Sequence, residues 1–151
     1  MKFFLEGSLK GLSKWLRFMG YCTEICEKKI SREEIFKHKD KIFLITSLKT
    51  AELLEKAGVK YVLLPKEGIE KQLFLLSNKL GLEKKLKLDI CTVCGSKLIP
   101  VEKEKVKNKI PPRVFEFYKE FNLCPCCGRI YWEGDHIKRL KERLKRIFKQ
   151  F

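Results

Sequence analysis

At 151 residues, with 44% hydrophobic and 35% charged side chains, the chain has room for one ordinary domain or a compact core with a small stapled appendage, and it is not composed like a disordered protein. Thirty-four lysines and arginines against 19 acids leave a formal charge of +15, an imbalance that points to a polyanionic partner, of which nucleic acid is the commonest. No apolar run approaches the roughly 18 to 20 residues that cross a bilayer, and "MKFFLEGSLKG" has no signal-peptide cleavage site, so we expect a cytoplasmic protein without a membrane partner.

Residues 2–6, "KFFLE", have the continuous apolar content of a buried strand. Leu9, Leu12, Trp15, Leu16 and Met19 then share one helical face, with Ser8 as cap and Gly20 as stop. "CTEIC" (22–26) reads as a strand whose Cys22 and Cys26 are small buried hydrophobes. Ser31 caps a helix over "REEIFKHK", with His38 exposed at its lysine-rich end. "KIFLITS" (41–47) is the most strand-like run in the chain, followed by a helix to Gly58, a strand "YVLLP" closed by Pro65, and an amphipathic helix over 68–82. Strands alternating with helices predict a mainly parallel α/β sheet with helices on its faces. Ligands on such sheets sit at the strands' carboxyl ends, here Glu6, the segment at Ser47 and Leu48, and the helix start near Ser31.

The pattern changes after "EKKLKLD" (83–89), a charged joint. We divide the chain into an α/β unit at 1–85, a cysteine-bracketed unit at 86–135 and a basic helix at 136–151. Pro111 and Pro112 predict a turn. In the last segment Ile137, Leu140, Leu144, Ile147 and Phe151 form one apolar stripe. Lys138, Arg139, Lys141, Arg143, Lys145, Arg146 and Lys149 oppose the single acid Glu142 on its other faces. The stripe either docks on a protein partner or packs on this protein's own sheet or ribbon.

"CTVCG" and "CPCCG" share one form: two thiols from a tight turn, then a glycine that lets the backbone amides turn toward the sulfurs. Cys91, Cys94, Cys124 and Cys127 are thereby the expected ligands of a tetrahedral ion, and Cys126 is the spare. Four thiolates saturate Zn²⁺ and make the site structural rather than catalytic; iron is an alternative occupant, and a redox dithiol an alternative use. His136 stands just beyond the second pair, as a helix-entry residue or a replacement ligand.

"WLRFMGY" (15–21) after a strand ending in an acid, "IFLITSLKTAELLEKAGVKYVLL" (42–64) and "KIPPRVFEFYKEFNLCPCCGRIYWEGDH" (109–136), together with both cysteine pairs, resemble the Mut-7 C-terminal ribonuclease-like family over almost the whole chain. That resemblance implies a PIN-like three-layer α/β domain joined to a zinc ribbon, and a nuclease acting on RNA through Mg²⁺ or Mn²⁺ held by acids at the strand ends. Glu6 matches the family's first-strand aspartate. The other acidic positions fall on Arg32, with Glu33 beside it, on Leu48 and on Cys22. A register slip of one residue makes Glu33 or Glu34 a ligand, and Glu52 is a further candidate.

Two functions compete. One is an RNA-binding module that has lost its carboxylate centre; the other is an active ribonuclease using Glu6 with Glu33 or Glu34. Phosphate contacts are expected from Lys10, Lys14 and Arg17, from Lys97 and Arg129 beside the cysteine pairs, and from the terminal helix through Lys138, Arg139 and Arg143. Tyr131 and Trp132 either stack unpaired bases or pack the ribbon onto its neighbour. The scarcity of Gln and Asn resembles thermophile usage, in which a lysine-rich surface has no partner at all; matching glutamate would then be expected.

Overall fold

The computed structural model describes residues 1–151. Four strands, β1 (Lys2–Glu6), β2 (Cys22–Cys26), β3 (Ile42–Ile45) and β4 (Tyr61–Leu63), form one parallel sheet in the order β2-β1-β3-β4. The helices α1 (Lys10–Phe18), α2 (Arg32–Lys37), α3 (Leu48–Ala57) and α4 (Ile69–Leu80) connect or follow them. β1 lies inside the sheet, and its alternation sorts the core into two layers. Phe3 and Leu5 join α1 and α4 in one cluster of 15 buried residues, while Phe4 joins α2 and α3 in another of nine. Because both faces are covered, β3 and the centre of β1, Phe3 to Leu5, are continuously apolar rather than alternating with polar residues.

Local signals set most of the boundaries. The Ser31 hydroxyl accepts from the Glu34 amide and the Ser47 hydroxyl from the Thr50 amide, capping α2 and α3. Gly58 and Gly81 close α3 and α4 in the left-handed conformation. Ser8 is a correction: it lies in a 3-10 turn at Gly7–Leu9, and its hydroxyl donates to Glu6 instead of capping α1.

The second layer system is a three-stranded antiparallel ribbon, β5 (Ile99–Val101), β6 (Phe121–Leu123) and β7 (Ile130–Tyr131). A 3-10 segment, Lys103–Lys109, and a short helix, α5 (Pro112–Phe117), lie between β5 and β6. Pro112 therefore opens a helix where a turn was expected, since its missing N–H costs nothing at a first helical position. The last helix is α6 (Asp135–Gln150).

Two further expectations change, and one of two alternatives is favoured. The charged joint is a packed strap: Leu88 is buried with Phe18 and Ile137, and the Lys87 amide donates to the Phe18 carbonyl at 2.9 Å. Most of the α6 stripe packs internally, with Ile137 against Phe18 and Leu88, Leu144 and Ile147 in the α1–α4 core layer, and Phe151 resting half-exposed against Phe74. Cys22 is exposed on the edge strand β2, whereas Cys26 is buried. No helix is long and apolar enough to cross a membrane.

Candidate metal centre and nucleic-acid interface

The two cysteine turns fold alike because they have the same residues at the same steps. The Gly95 amide donates to the Cys91 carbonyl and the Gly128 amide to the Cys124 carbonyl, each at 2.9 Å. Cys91 and Cys124 in turn donate their amides to Ser96 and Arg129. Gly95 and Gly128 have φ of 77° and 79°, the left-handed region that glycine enters without strain. Facing one another, the turns bring the sulfurs of Cys91, Cys94, Cys124 and Cys127 within 4.8 Å of each other. A four-thiolate zinc site with Zn–S near ~2.3 Å requires sulfurs roughly 3.8 Å apart; Cys91 to Cys127 is 3.7 Å and Cys94 to Cys124 is 3.2 Å. Cys126 is exposed and stands outside this group. The donor set fits a metal ion, and its closure on four sulfurs leaves no position for a substrate.

Hydrogen bonds favour the thiolate form of Cys91 and Cys94. The Ser96 hydroxyl and amide, then Cys124, pull Cys94 down to about 6. Burial raises Cys91, but bonds from the Tyr131 hydroxyl and from the turn amides outweigh it. The bond from the Arg129 amide lowers Cys127, yet burial and its bonds to the neighbouring thiols leave it at about 11. Tyr131 is thus part of the metal centre's support: its hydroxyl lies 3.1 Å from the Cys91 sulfur and accepts from the Thr92 amide at 3.2 Å.

Arg17 departs from its expected role as a phosphate contact. Its side chain is buried, with Nε on the Thr23 hydroxyl at 2.8 Å and Nη2 on the Thr23 carbonyl at 3.0 Å. Nη1 donates to the Thr92 and Val93 carbonyls inside the first cysteine turn, at 3.1 and 3.2 Å. Every nitrogen of the guanidinium is engaged, so it clamps α1, β2 and the cysteine turn together. A side chain at Gly95 would meet this guanidinium at 3.1 Å, a second reason for glycine there.

The rim of the parallel sheet is the other candidate site. Glu6 ends β1, and its Oε1 accepts from the Thr46 amide at 2.5 Å while Oε2 accepts from the Thr46 hydroxyl at 2.8 Å and from Ser8. Burial alone would raise this carboxyl, but those three donors and the charge of Lys66 bring it below the usual carboxylate range. Glu33 and Glu34 do not join it. Glu33 is exposed and pairs with Lys37 at 3.5 Å. Glu34 is nearly buried and pairs with Lys28 at 3.1 Å, a bond that lowers its carboxyl. Glu52 is exposed on α3, and Leu48 is 71% exposed at its start. The four cysteines are the one group of three or more Cys, His, Asp or Glu side chains placed to share an ion. His38, expected at the surface, is instead mostly covered, stacked on Phe4 at 4.0 Å between Glu24 and Glu34.

The sequence profile of the Mut7-C RNAse domain family matches residues 1–144. The chain belongs to this family. No curated protein and no solved structure is significantly similar to it. As a Mut7-C RNAse domain it is a nucleic-acid-related α/β unit with a four-cysteine centre positioned to bind a metal ion.

The remaining expected phosphate contacts are at the surface of this Mut7-C domain. Lys14, Lys97, Arg129, Lys138 and Arg139 are exposed. Lys10 pairs with Glu27 at 3.0 Å, and Arg143 is exposed over the Trp15 ring at 5.6 Å. His136 lies in the first turn of α6, outside the thiol group. Reading the sequence missed the clamp made by Arg17 and the latch from Thr46 to Glu6. Each joins residues far apart in the chain through ordinary polar side chains, and no local pattern marks such a pair.

Proposed function

We propose that this Mut7-C domain binds RNA, that Zn²⁺ in its four-thiolate site serves structure, and that the carboxylate centre for cutting is degenerate. The observation that carries the reading is the state of Glu6. Its two oxygens are engaged by three hydrogen-bond donors, its charged neighbour is Lys66, and it belongs to no group of three or more Cys, His, Asp or Glu side chains placed to share an ion. A hard divalent cation needs several oxygens to replace the water it gives up, so Mg²⁺ or Mn²⁺ does not fit these residues. Arg32, Leu48 and Cys22 at the positions that the family fills with acids point the same way. The charge of +15 supplies the affinity for phosphate, by counterion release and with little regard to sequence.

The test uses the zinc-loaded full chain with labelled single-stranded RNA and Mn²⁺. Binding that weakens steeply with salt, without cleavage, is the expected result. The active-nuclease reading rests on the family's RNAse character. Cleavage that requires Mn²⁺ and disappears in Glu6→Ala, Glu33→Ala or Glu34→Ala would establish it instead.

A further inference from the structure

A cleft of about 730 Å³ opens between the end of α1, the two cysteine turns and the start of α6. Four stretches of chain line it, 14–18, 92–93, 109 and 128–137, and only the fold brings the first three to the last. Its cations are Lys14 from α1, Lys109 from the end of the 3-10 segment and Arg129 from the second cysteine turn, with His136 beside them. Lys14, Lys109 and Arg129 are all exposed and none takes part in a salt bridge or a side-chain hydrogen bond, so their charges are open to a ligand. One carboxylate, Asp135, opposes them.

The walls between these charges are apolar and aromatic. Val93 is 55% exposed at the tip of the first turn. Across from it are Tyr131, its hydroxyl tethered to Cys91 and Thr92, and Trp132. The indole rests against Gly134, where any side chain would come within 2.8 Å of its Nε1, and packs on Phe121 at 6.1 Å. Both rings are therefore held in place before anything binds. Free cations flanking fixed aromatic faces match the two halves of an unpaired nucleotide, since phosphates take the cations and any base has a face to stack. A base inside a duplex offers no such face.

We propose that this cleft seats an unpaired stretch of single-stranded RNA, about one or two nucleotides given the roughly 300–1,000 Å³ typical of ligand pockets. The inference rests on the RNA-binding reading above and names where that binding happens. The cysteine centre then has a second consequence: both turns are walls of the cleft, so the metal that holds the turns also shapes the binding surface.

The experiment measures binding of a fluorescein-labelled oligo(U) 12-mer and of a blunt RNA duplex to the zinc-loaded full chain, across a salt series. Three variants are compared: Lys14→Ala with Arg129→Ala, Asp135→Asn, and a control pair, Lys56→Ala with Lys60→Ala, at the end of α3 on the sheet's opposite face. Zinc content and circular dichroism verify that each is folded. The cleft pair should weaken oligo(U) binding at least about tenfold and reduce the slope of log K against log salt by about 1.4, or about 0.7 per phosphate contact. Asp135→Asn should strengthen binding about two- to threefold, and the control pair should stay within about twofold. Trp15 is only 6% exposed, so quenching of tryptophan emission by oligo(U) reports Trp132. Equal losses in the cleft and control pairs, or equal affinity for the duplex, would overturn the cleft while leaving RNA binding intact. Failure of the unaltered chain to bind either RNA at low salt would remove the RNA-binding reading as well.

Discussion

The parallel-sheet half and the cysteine ribbon solve the same problem with different means. The sheet half gathers two apolar clusters, of 15 and nine buried residues, on either side of β1 and β3. The ribbon has only two clusters of three, one of which is built on Cys91 and Cys124 themselves. Burial at about 25 cal/mol per Å² of apolar surface can hold the first half together, but so small a set cannot offset the ordering of some 45 residues of turns and short strands. On the proposed reading, an ion at the four thiols supplies what so small a core lacks, as in other small domains. Where a core ends, coordination takes over.

The largest test of that contrast is removal of the metal. Chelation, or Cys124→Ser, forfeits a binding free energy of about 10–16 kcal/mol. Hydrogen exchange should then show the amides of β5, β6 and β7 losing protection while those of β1 and β3 keep it; uniform loss would mean the halves are one cooperative unit. Next in size is Ile147→Ala. Ile147 is fully buried in the α1–α4 layer, so truncation should destabilise the zinc-loaded chain by about 2–5 kcal/mol in chemical denaturation. A cost below about 1 kcal/mol would place α6 outside the sheet half.

Arg17→Ala probes the seam between the two. Removing a buried guanidinium leaves the Thr23, Thr92 and Val93 carbonyls without their donors, for about 2 kcal/mol of stability. The salt slope of RNA binding should not change, because Arg17 faces the protein rather than a phosphate. The smallest effect belongs to Glu6→Gln. The folded carboxyl of Glu6 lies below its ordinary value, so its contribution is complete above pH ~4.3 and is lost as the pH falls through the folded value. Between pH 6 and pH 3 the unaltered chain should lose more stability than Glu6→Gln, by less than about 1 kcal/mol because the group is half open to water. Equal losses would show that the latch to Thr46 carries no charge dependence.

How far each feature could be read in advance follows the range of the interaction behind it. The strand and helix positions of the sheet half, the cap at Ser31 and the stop at Gly58 come from neighbours within a few residues, and the structure has them where the pattern placed them. Ser8 misled because a hydroxyl near a helix start can cap it or turn to another acceptor, and Glu6 was close enough to win. The paired cysteine turns were legible because one motif carries two ligands and the glycine that shapes them. His38 was not, since nothing in a lysine-rich helix end announces that Phe4, from a strand over 30 residues earlier, will stack on it. The stripe of α6 was visible as a stripe, but its choice between an outside partner and the protein's own core depended on where the strap at Leu86 and Leu88 turned the chain.

From the order of its residues alone this protein is an α/β sheet followed by a four-thiol clamp with a strongly basic surface, because periodicity, capping and ligand spacing are short-range properties. Only the folded arrangement decided that Arg17 is a clamp instead of a phosphate contact, that Glu6 is latched to Thr46 outside any cluster of metal-binding side chains, and that Lys14, Lys109 and Arg129 surround one cleft. Those outcomes depend on which distant surfaces meet and lose their water, and a charge changes its role completely when that happens.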